Sequence, residues 1–375
     1  MKKKDIKSLY VHIPFCKNIC SYCDFCKMFY NKELVNKYLE ELGKEINKYY
    51  KDELIETIYI GGGTPSSLNI EQLKKLFLIL KNIKFSKNLE FTFEMNICDI
   101  NEEILILLKN NKVNRISIGI ETINEKYLKL IERNHSKEEV FEKINLVKKY
   151  FDNINVDFMY GFNNETIEEL KQDLDFFKEL DVNHISIYSL ILEPNTKLYI
   201  NKTKPLDEEI ESNMYFYIIN YLEGLDFNHY EISNFCKNNT YSRHNLTYWN
   251  NDRYYGFGLG ASGYIDDIRY SNTRSINKYL SGNYRLEEDN ITIDIDMENE
   301  MILGLRKIEG INKKRFNDKY NCNIEDIFDI DELLKNKLLE EKDNYLLIPR
   351  DKLYLSNSIL VNFIKNSWKT FVRIV

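Results

Sequence analysis

The chain has 375 residues, of which 43% are hydrophobic and 30% charged, and its formal net charge is −7. This length and composition indicate a globular protein with one large domain and a smaller one. The acidic balance disfavours nucleic acid as the main partner, because a protein that follows phosphate backbones needs a basic face. No apolar run approaches the ~20 residues that span a bilayer. No signal-peptide core follows Met1, so we expect a cytoplasmic protein.

The first half of the chain alternates β-type runs with amphipathic segments of helical spacing. Six strand–helix repeats predict an α/β fold with a parallel sheet, either a barrel or an open barrel, which we take as a partial (β/α)6 TIM-type barrel. The predicted strands cover 8–15, 56–60, 89–94, 115–120, 155–159 and 184–190, and the predicted helices cover 32–50, 70–82, 102–109, 137–149 and 166–180.

The alternation stops near Asn195, and the polar, proline-containing segment 201–205 predicts a connector. Beyond it we expect a helix over 207–222, a loop-rich aromatic stretch over 230–264 and a helix over 297–306. Small helices and a short hairpin at 345–348 then predict a smaller, mainly helical, winged-helix-like domain. We therefore divide the chain into a core domain, 1–200, and a C-terminal domain, 201–375.

Four of the seven cysteines stand between positions 16 and 26. Cys16, Cys20 and Cys23 form a CxxxCxxC motif in a loop directly after the first predicted strand. Three thiolates on an iron–sulfur cube leave one iron open to a substrate, whereas a cluster with four cysteine ligands normally only transfers electrons. The spacing therefore predicts a 4Fe-4S cluster whose open iron binds S-adenosylmethionine and whose electron breaks a carbon–sulfur bond.

A zinc site that adds Cys26 or His12 to these cysteines is the alternative. Zinc ligands usually come as two pairs separated by a dozen or more residues, and the chain has no second CxxC pair at such a distance. We treat Cys26 as a non-ligand, although a spare thiol, a substrate-side residue and a fourth ligand stay open.

Other residues suited to ligand binding stand at the carboxyl ends of predicted strands, where barrels of this kind place their chemistry. The segment 61–65, GGGTP, allows a backbone to approach a ligand closely, although a plain turn has the same composition. Single charges at such positions are usually solvated. As a set around one barrel mouth, they fit the ammonium, carboxylate and ribose of the cofactor. The charged residues are Glu94, Glu121, Arg133 and Asp157.

The segments 10–16 (YVHIPFC), 61–65 (GGGTP) and 113–119 (VNRISIG) resemble the radical S-adenosylmethionine family related to oxygen-independent coproporphyrinogen III oxidase. The resemblance covers nearly the whole chain. Glu121 stands where the family usually has Gln, and a carboxylate cannot donate a hydrogen bond unless it is protonated, which puts that contact in doubt. Met95 and Ile97 also depart from the family pattern. The resemblance implies cofactor contacts at Tyr10, Tyr22, Gly62, Gly63, Thr64, Glu94, Arg133 and Asp157, with Glu121 kept in the set.

Within that family the chain is most similar to the heme-chaperone branch. The oxidases carry a further cysteine two positions after the third and an N-terminal extension. Here Phe25 holds that position, and only fifteen residues precede Cys16. The segment 243–249 (RHNLTYW) matches the HNxxYW heme-binding motif of the branch. An imidazole such as His244 can ligate heme iron, and Tyr248 and Trp249 offer flat apolar surfaces. Without the resemblance, a loop histidine among packed aromatic residues is the simpler interpretation.

The resemblance implies a heme chaperone that binds heme around His244 and passes it to acceptor hemoproteins such as respiratory enzymes. It also implies an electron donor such as flavodoxin or ferredoxin. The alternative function is oxygen-independent coproporphyrinogen III oxidase, a radical decarboxylase of porphyrin biosynthesis. Radical modification of RNA is disfavoured by the acidic balance. A homodimer and a peripheral membrane contact stay open.

Overall fold

A computed structural model of the chain describes residues 5–365. Residues 1–4 and 366–375, at the ends of the two predicted domains, lie outside the described part. The strands are β1 Ser8–Ile13, β2 Phe15–Cys16, β3 Met28–Phe29, β4 Leu54–Gly62, β5 Lys84–Asn96, β6 Arg115–Glu121, β7 Asn153–Tyr160, β8 His184–Ser189, β9 Asn228–Glu231, β10 Asn234–Cys236, β11 Tyr254–Phe257, β12 Ser262–Ile265, β13 Ile268–Asn272, β14 Arg285–Asn290, β15 Ile311–Asn312, β16 Glu340–Lys342 and β17 Tyr345–Leu347.

One sheet dominates the structure, with the strand order β14-β13-β12-β11-β1-β4-β5-β6-β7-β8-β10-β9. The six predicted strands are β1 and β4 to β8, and each pairs with its neighbour in parallel. Strand β8 pairs with β10 rather than with β1, so the barrel stays open. The predicted α/β fold with a partial parallel barrel is confirmed.

Helices connect the parallel strands and pack on the outside of the sheet, as right-handed crossovers require. Sequence signals mark their starts: Asn69 and Thr166 each form a capping box at the helix that follows. The helices are α1 Lys32–Tyr49, α2 Ile70–Leu80, α3 Glu102–Asn110, α4 Glu125–Ile131, α5 Lys137–Lys148, α6 Ile167–Glu179, α7 Lys197–Ile200, α8 Glu208–Glu223, α9 Arg243–Trp249, α10 Ile276–Leu280, α11 Ile293–Gly304, α12 Lys313–Tyr320, α13 Ile324–Ile327, α14 Asp331–Lys335 and α15 Ser356–Leu360, with 3-10 turns at Pro65–Ser67, Ile97–Asp99, Arg350–Leu355 and Val361–Phe363.

Residues beyond position 201 extend this sheet at both edges. Strands β9 and β10 continue it past β8, and β11 to β14 continue it past β1. The aromatic stretch 230–264, predicted to be mainly loop, therefore contains short strands and helix α9. The division at residue 200 stays a prediction, because one sheet includes strands from both sides of it.

The last part of the described chain has the winged-helix-like arrangement that the sequence predicts. Strands β15, β17 and β16 form a small antiparallel sheet, and helices α12 to α14 lie between β15 and β16 along the chain. Within residues 5–365, no helix combines the length and the apolar character needed to cross a bilayer.

Candidate functional site

The cysteine motif lies in a loop closed by two short strands. β2 carries Cys16 and pairs in parallel with β3, which follows the motif. The thiol of Cys16 is buried and accepts a hydrogen bond from Thr64 Oγ1 at 3.5 Å. Burial raises the pKa of Cys16 to about 11 and also raises that of Cys23. These thiols therefore need a positively charged partner to become the thiolates that bind metal.

The surroundings of the loop leave room for an iron–sulfur cube beside Cys16. A Cβ atom added to Gly63 would stand 2.9 Å from Cys16 Sγ, so the glycine keeps space open beside the sulfur. Within residues 5–365, no three Cys, His, Asp or Glu side chains are grouped as ligands of one ion. A cube takes one thiolate on each of three irons, so its ligands need not converge on one point. Cys16, Cys20 and Cys23 are the residues able to hold it.

Cys26 and His12, the further ligands of the zinc alternative, are engaged elsewhere. A Cβ atom added to Gly260 would lie 2.5 Å from the Cβ of Cys26, so this side chain packs against the loop after β11. His12 Nε2 donates to the carbonyl of Cys26 at 2.7 Å, and its Nδ1 accepts from Tyr10 OH at 3.0 Å. Burial lowers the pKa of His12 to about 4, which agrees with this neutral form.

A hydrogen-bonded network runs from the cysteine loop across the barrel mouth. Asn96 Nδ2 donates to Thr64 Oγ1 at 3.2 Å, and Arg133 Nη1 donates to Asn96 Oδ1 at 3.4 Å. Arg133 also forms a 2.8 Å ion pair with Glu121, and Tyr22 hydrogen-bonds within the same pair. Four predicted contact residues, Tyr22, Thr64, Glu121 and Arg133, are therefore brought together.

Two buried carboxyl groups, Glu94 and Asp157, lie in the barrel mouth and have raised pKa values. Burial raises the pKa of Glu94 to about 7. Burial, followed by the charges of Glu121 and Glu94, raises the pKa of Asp157 to about 7. Glu94 accepts from the backbone N–H of Gly62 at 3.1 Å, and Asp157 accepts from Asn155 Nδ2 at 2.9 Å. An ammonium or sulfonium group placed here would favour their ionised forms.

Gly62 cannot be replaced without strain at this position. Its φ of +121° lies in a region that residues with a Cβ rarely adopt, and an added Cβ would lie 2.8 Å from the His12 ring. A ligand-binding role of the GGG segment stays a prediction.

His244 lies at the opposite end of the barrel. Helix α9 packs under the amino-terminal ends of the strands, and His244 Nδ1 is 2.9 Å from Thr57 Oγ1 in β4. Its Nε2 is 2.8 Å from Tyr248 OH. Ser8, another partner in this network, begins β1, and β1 rises ~3.3 Å per residue towards the cysteine loop, which puts Ser8 about 17 Å from Ile13. The cysteine motif and the HNxxYW motif are therefore not brought together.

His244 is only 1% exposed, and both of its ring nitrogens are hydrogen-bonded. Thr57 donates to Ser8 at 2.8 Å, so Thr57 accepts from Nδ1–H and the Tyr248 hydroxyl donates to Nε2. Burial lowers the pKa of His244 to about 3, which keeps the ring neutral. In this conformation the imidazole has no lone pair open to a metal. The predicted axial ligation requires the bond to Tyr248 to break.

Several site residues are absent from the set predicted from the sequence. Asn96 links the cysteine side of the mouth to Arg133, and Tyr59 hydrogen-bonds to Glu94. Asn155 and Ser186 hydrogen-bond to Asp157. A signal was present, since Asn96 stands two residues after Glu94 and Asn155 two before Asp157, so each pair faces the same side of its strand.

Comparisons with known proteins show the family of the chain. The radical SAM superfamily matches residues 10–177. The heme chaperone HemW of Lactococcus lactis is 38% identical over 368 residues, which cover 95% of this chain and 97% of that protein. The chain belongs to the HemW family. HemW of Bacillus subtilis is also 38% identical, over 96% of this chain and 99% of that protein. Membership of the wider superfamily implies a 4Fe-4S cluster and S-adenosylmethionine.

The HemW fold resembles that of a solved radical SAM enzyme. Coproporphyrinogen III oxidase, HemN, from Escherichia coli aligns with a TM-score of 0.85, over 96% of this chain and 90% of that one. The two sequences are 20% identical, so this similarity concerns the fold alone.

Proposed function

We propose that this HemW-family chain binds heme and transfers it to acceptor hemoproteins such as respiratory enzymes. The observation that carries the proposal is the near full-length match, at 38% identity, to proteins named heme chaperone HemW. The match includes both the cysteine loop and helix α9. The two sites of the proposal therefore fall within the matched region.

The barrel mouth supplies the groups that a cluster and S-adenosylmethionine need. Cys16, Cys20 and Cys23 would ligate the 4Fe-4S cluster. The chemistry that the bound cluster supplies is one-electron reduction of S-adenosylmethionine, with the electron from a donor such as flavodoxin or ferredoxin. Around it the chain's own residues bind and orient the cofactor, with the methionine end on the backbone at Gly62, Gly63 and Thr64 and cationic groups near Tyr10, Glu94 and Asp157.

Heme binding in this proposal involves residues of helix α9. His244 and Tyr248 face the barrel interior, whereas Trp249 is turned to the outer side of the helix. Because His244 is bonded on both nitrogens, axial ligation is a step that follows a movement of α9. The heme-binding surface open in this conformation is therefore the outer side.

Heme titration of the anaerobically reconstituted protein tests the proposal. We expect saturable binding of hemin and no vinyl products from coproporphyrinogen III with S-adenosylmethionine and a reductant. Robust vinyl production would favour the oxidase, and the absence of saturable hemin binding would contradict the chaperone. His229 is also a buried histidine, 6% exposed and stacked on Phe235. His229→Ala is therefore a matched control for His244→Ala, because both remove a buried ring but only one touches the motif.

A further inference from the structure

A cleft of about 410 Å³ opens between helix α9 and the winged-helix-like segment, away from the barrel mouth. It is lined by Trp249 of α9, by Lys307 after α11, by Lys314 and Arg315 at the start of α12 and by Tyr345 of β17. This volume lies in the ~300–1,000 Å³ range of small-molecule sites. None of these residues takes part in the site at the barrel mouth.

Trp249 connects this cleft to the HNxxYW motif. It follows His244 by five residues, which at 3.6 residues per turn sets the two side chains about 140° apart around α9. The indole Nε1 is buried, and within residues 5–365 no group accepts its hydrogen bond. Buried indole N–H groups normally have a partner. The guanidinium of Arg306 lies 5.6 Å from the centre of the indole ring.

Cations line one part of the cleft. The side chain of Lys307 is only 10% exposed and donates to Asn250 Oδ1 at 2.9 Å, and burial lowers its pKa. Arg315 is half-exposed, and its paired carboxylate, Asp252, is 3.7 Å away. Lys314 is fully on the surface. Amino and guanidinium groups at the edge of a cleft suit carboxylates of a ligand.

Three acidic residues also line the cleft, as many as the cationic ones. Glu300 is paired with Lys319 at 2.5 Å, so its charge is satisfied within the protein. Glu309 lies 3.5 Å from Lys307 on the exposed side, and Asp318 is exposed on α12. The lining contains no histidine, cysteine or methionine, the commonest ligands of heme iron, so we expect a ligand here to be held mainly by its ring and its carboxylates.

We propose that this cleft holds a planar tetrapyrrole, with Trp249 against the macrocycle and Lys307, Lys314 and Arg315 at its carboxylates. The inference rests on the proposed function and adds the place where heme first binds. Iron is not required for this contact. The metal-free protoporphyrin IX therefore binds as hemin does, whereas a site built on axial ligation by His244 would bind hemin alone.

The test is fluorescence titration of the holoprotein with hemin and with protoporphyrin IX in a Trp368→Phe background. Trp249 is then the sole tryptophan of the chain. We expect both ligands to quench its emission with affinities within about tenfold of each other. The surface variant Lys314→Glu/Arg315→Glu should weaken both by roughly tenfold or more, because two attractive charges become repulsive. The control Lys81→Glu/Lys129→Glu makes the same charge change on other exposed residues.

The outcomes separate this inference from the function on which it rests. The cleft proposal is contradicted if hemin still binds to the cleft variant, does not bind to His244→Ala, and protoporphyrin IX does not bind at all. That result leaves the chaperone function standing. No binding of hemin to the parent protein overturns both. Equal losses in the cleft variant and in the Lys81/Lys129 control would also overturn the cleft, because the effect would then be one of net charge.

Discussion

Glu121 Oε1 accepts a hydrogen bond from Arg133 Nη2 at 2.8 Å, with the two side chains only 8% and 12% exposed. From the sequence, a cofactor contact at Glu121 is in doubt, because an ionised carboxylate cannot donate the hydrogen bond that the family's Gln can donate. The ion pair gives the carboxylate a different task, since it compensates Arg133 inside the barrel mouth. The same negative charge raises the pKa of Asp157.

Glu121→Gln should therefore shift the pH dependence of S-adenosylmethionine binding. The pKa of Asp157, about 7 in the parent, falls when a neighbouring negative charge is removed. Because a cationic ligand binds the ionised carboxylate better, affinity weakens on acidification, and we expect its midpoint to lie at lower pH in the variant. Isothermal titration between pH 5.5 and 8.5 would measure it. Glu132→Gln, in an exposed pair with Lys197, is the control, and an unmoved midpoint in Glu121→Gln would contradict the assignment.

Glu90 should be a main anchor of helix α9. Its two carboxylate oxygens accept the backbone N–H groups of Arg243 and His244, each at 2.9 Å, at the positive end of the helix. Glu90→Gln removes the charge and one acceptor, and we expect a loss of about 1–3 kcal/mol in the free energy of unfolding, measured with urea. The exposed Glu103→Gln should stay within about 0.5 kcal/mol of the parent. Equal stabilities of the two variants would argue against an anchoring role.

The stability of the protein should decline between pH 6.5 and 8. Burial raises the pKa of Glu94, Asp157 and Glu231 to about 7 and that of Glu165 to about 8, so the folded state keeps protons that the unfolded state has lost. This stability is present at low pH and is lost as the pH rises through those folded values, at up to about 1.4 kcal/mol per pH unit for each group.

The histidines act in the opposite direction at lower pH. Burial lowers the pKa of all five, so their stabilising effect is present above the unfolded pKa of about 6.5 and is lost as the pH falls towards the folded values, about 4 for His12 and 3 for His244. Between pH 4 and 6.5 the two sets oppose each other. Urea midpoints at pH 6, 7 and 8 would show the decline. Glu165→Gln should make the decline of the urea midpoint with pH less steep, whereas Glu168→Gln should leave it unchanged. A midpoint that rises with pH would contradict the prediction.

Cys26→Ala should keep the iron–sulfur chromophore. The side chain of Cys26 packs against Gly260 and hydrogen-bonds to Arg274. Replacement of Cys16, Cys20 or Cys23 by Ala should remove the visible absorbance and the bound iron and sulfide. Loss of the cluster in Cys26→Ala would instead make it a ligand. Cys98→Ala, at an exposed cysteine outside the loop, controls for the general effect of losing a thiol.

The local patterns predicted more of the fold than of the site. The periodicity of apolar residues predicts the six parallel strands and five of the connecting helices, because the residues that form each element's apolar face lie within that one segment. Helix α4 was missed since it has only seven residues. Strands β9 to β12 lie in or beside the stretch predicted to be mainly loop, because they are short and because β10 and β11 pair with strands more than forty residues away. The sequence patterns do not predict β13 and β14.

By itself the sequence determined the cysteine motif, the glycine segment after β4 and the order of the strand–helix units. These depend on spacing between near neighbours, which the chain carries locally. Only the tertiary structure decided that Glu121 pairs with Arg133 and that His244 is enclosed beneath the barrel. Its partner Thr57 stands 187 residues earlier, and no local pattern records a contact over that distance. The HNxxYW motif is thus divided between two faces of α9, with His244 turned towards the barrel and Trp249 towards the cleft, because a helix turns ~100° per residue.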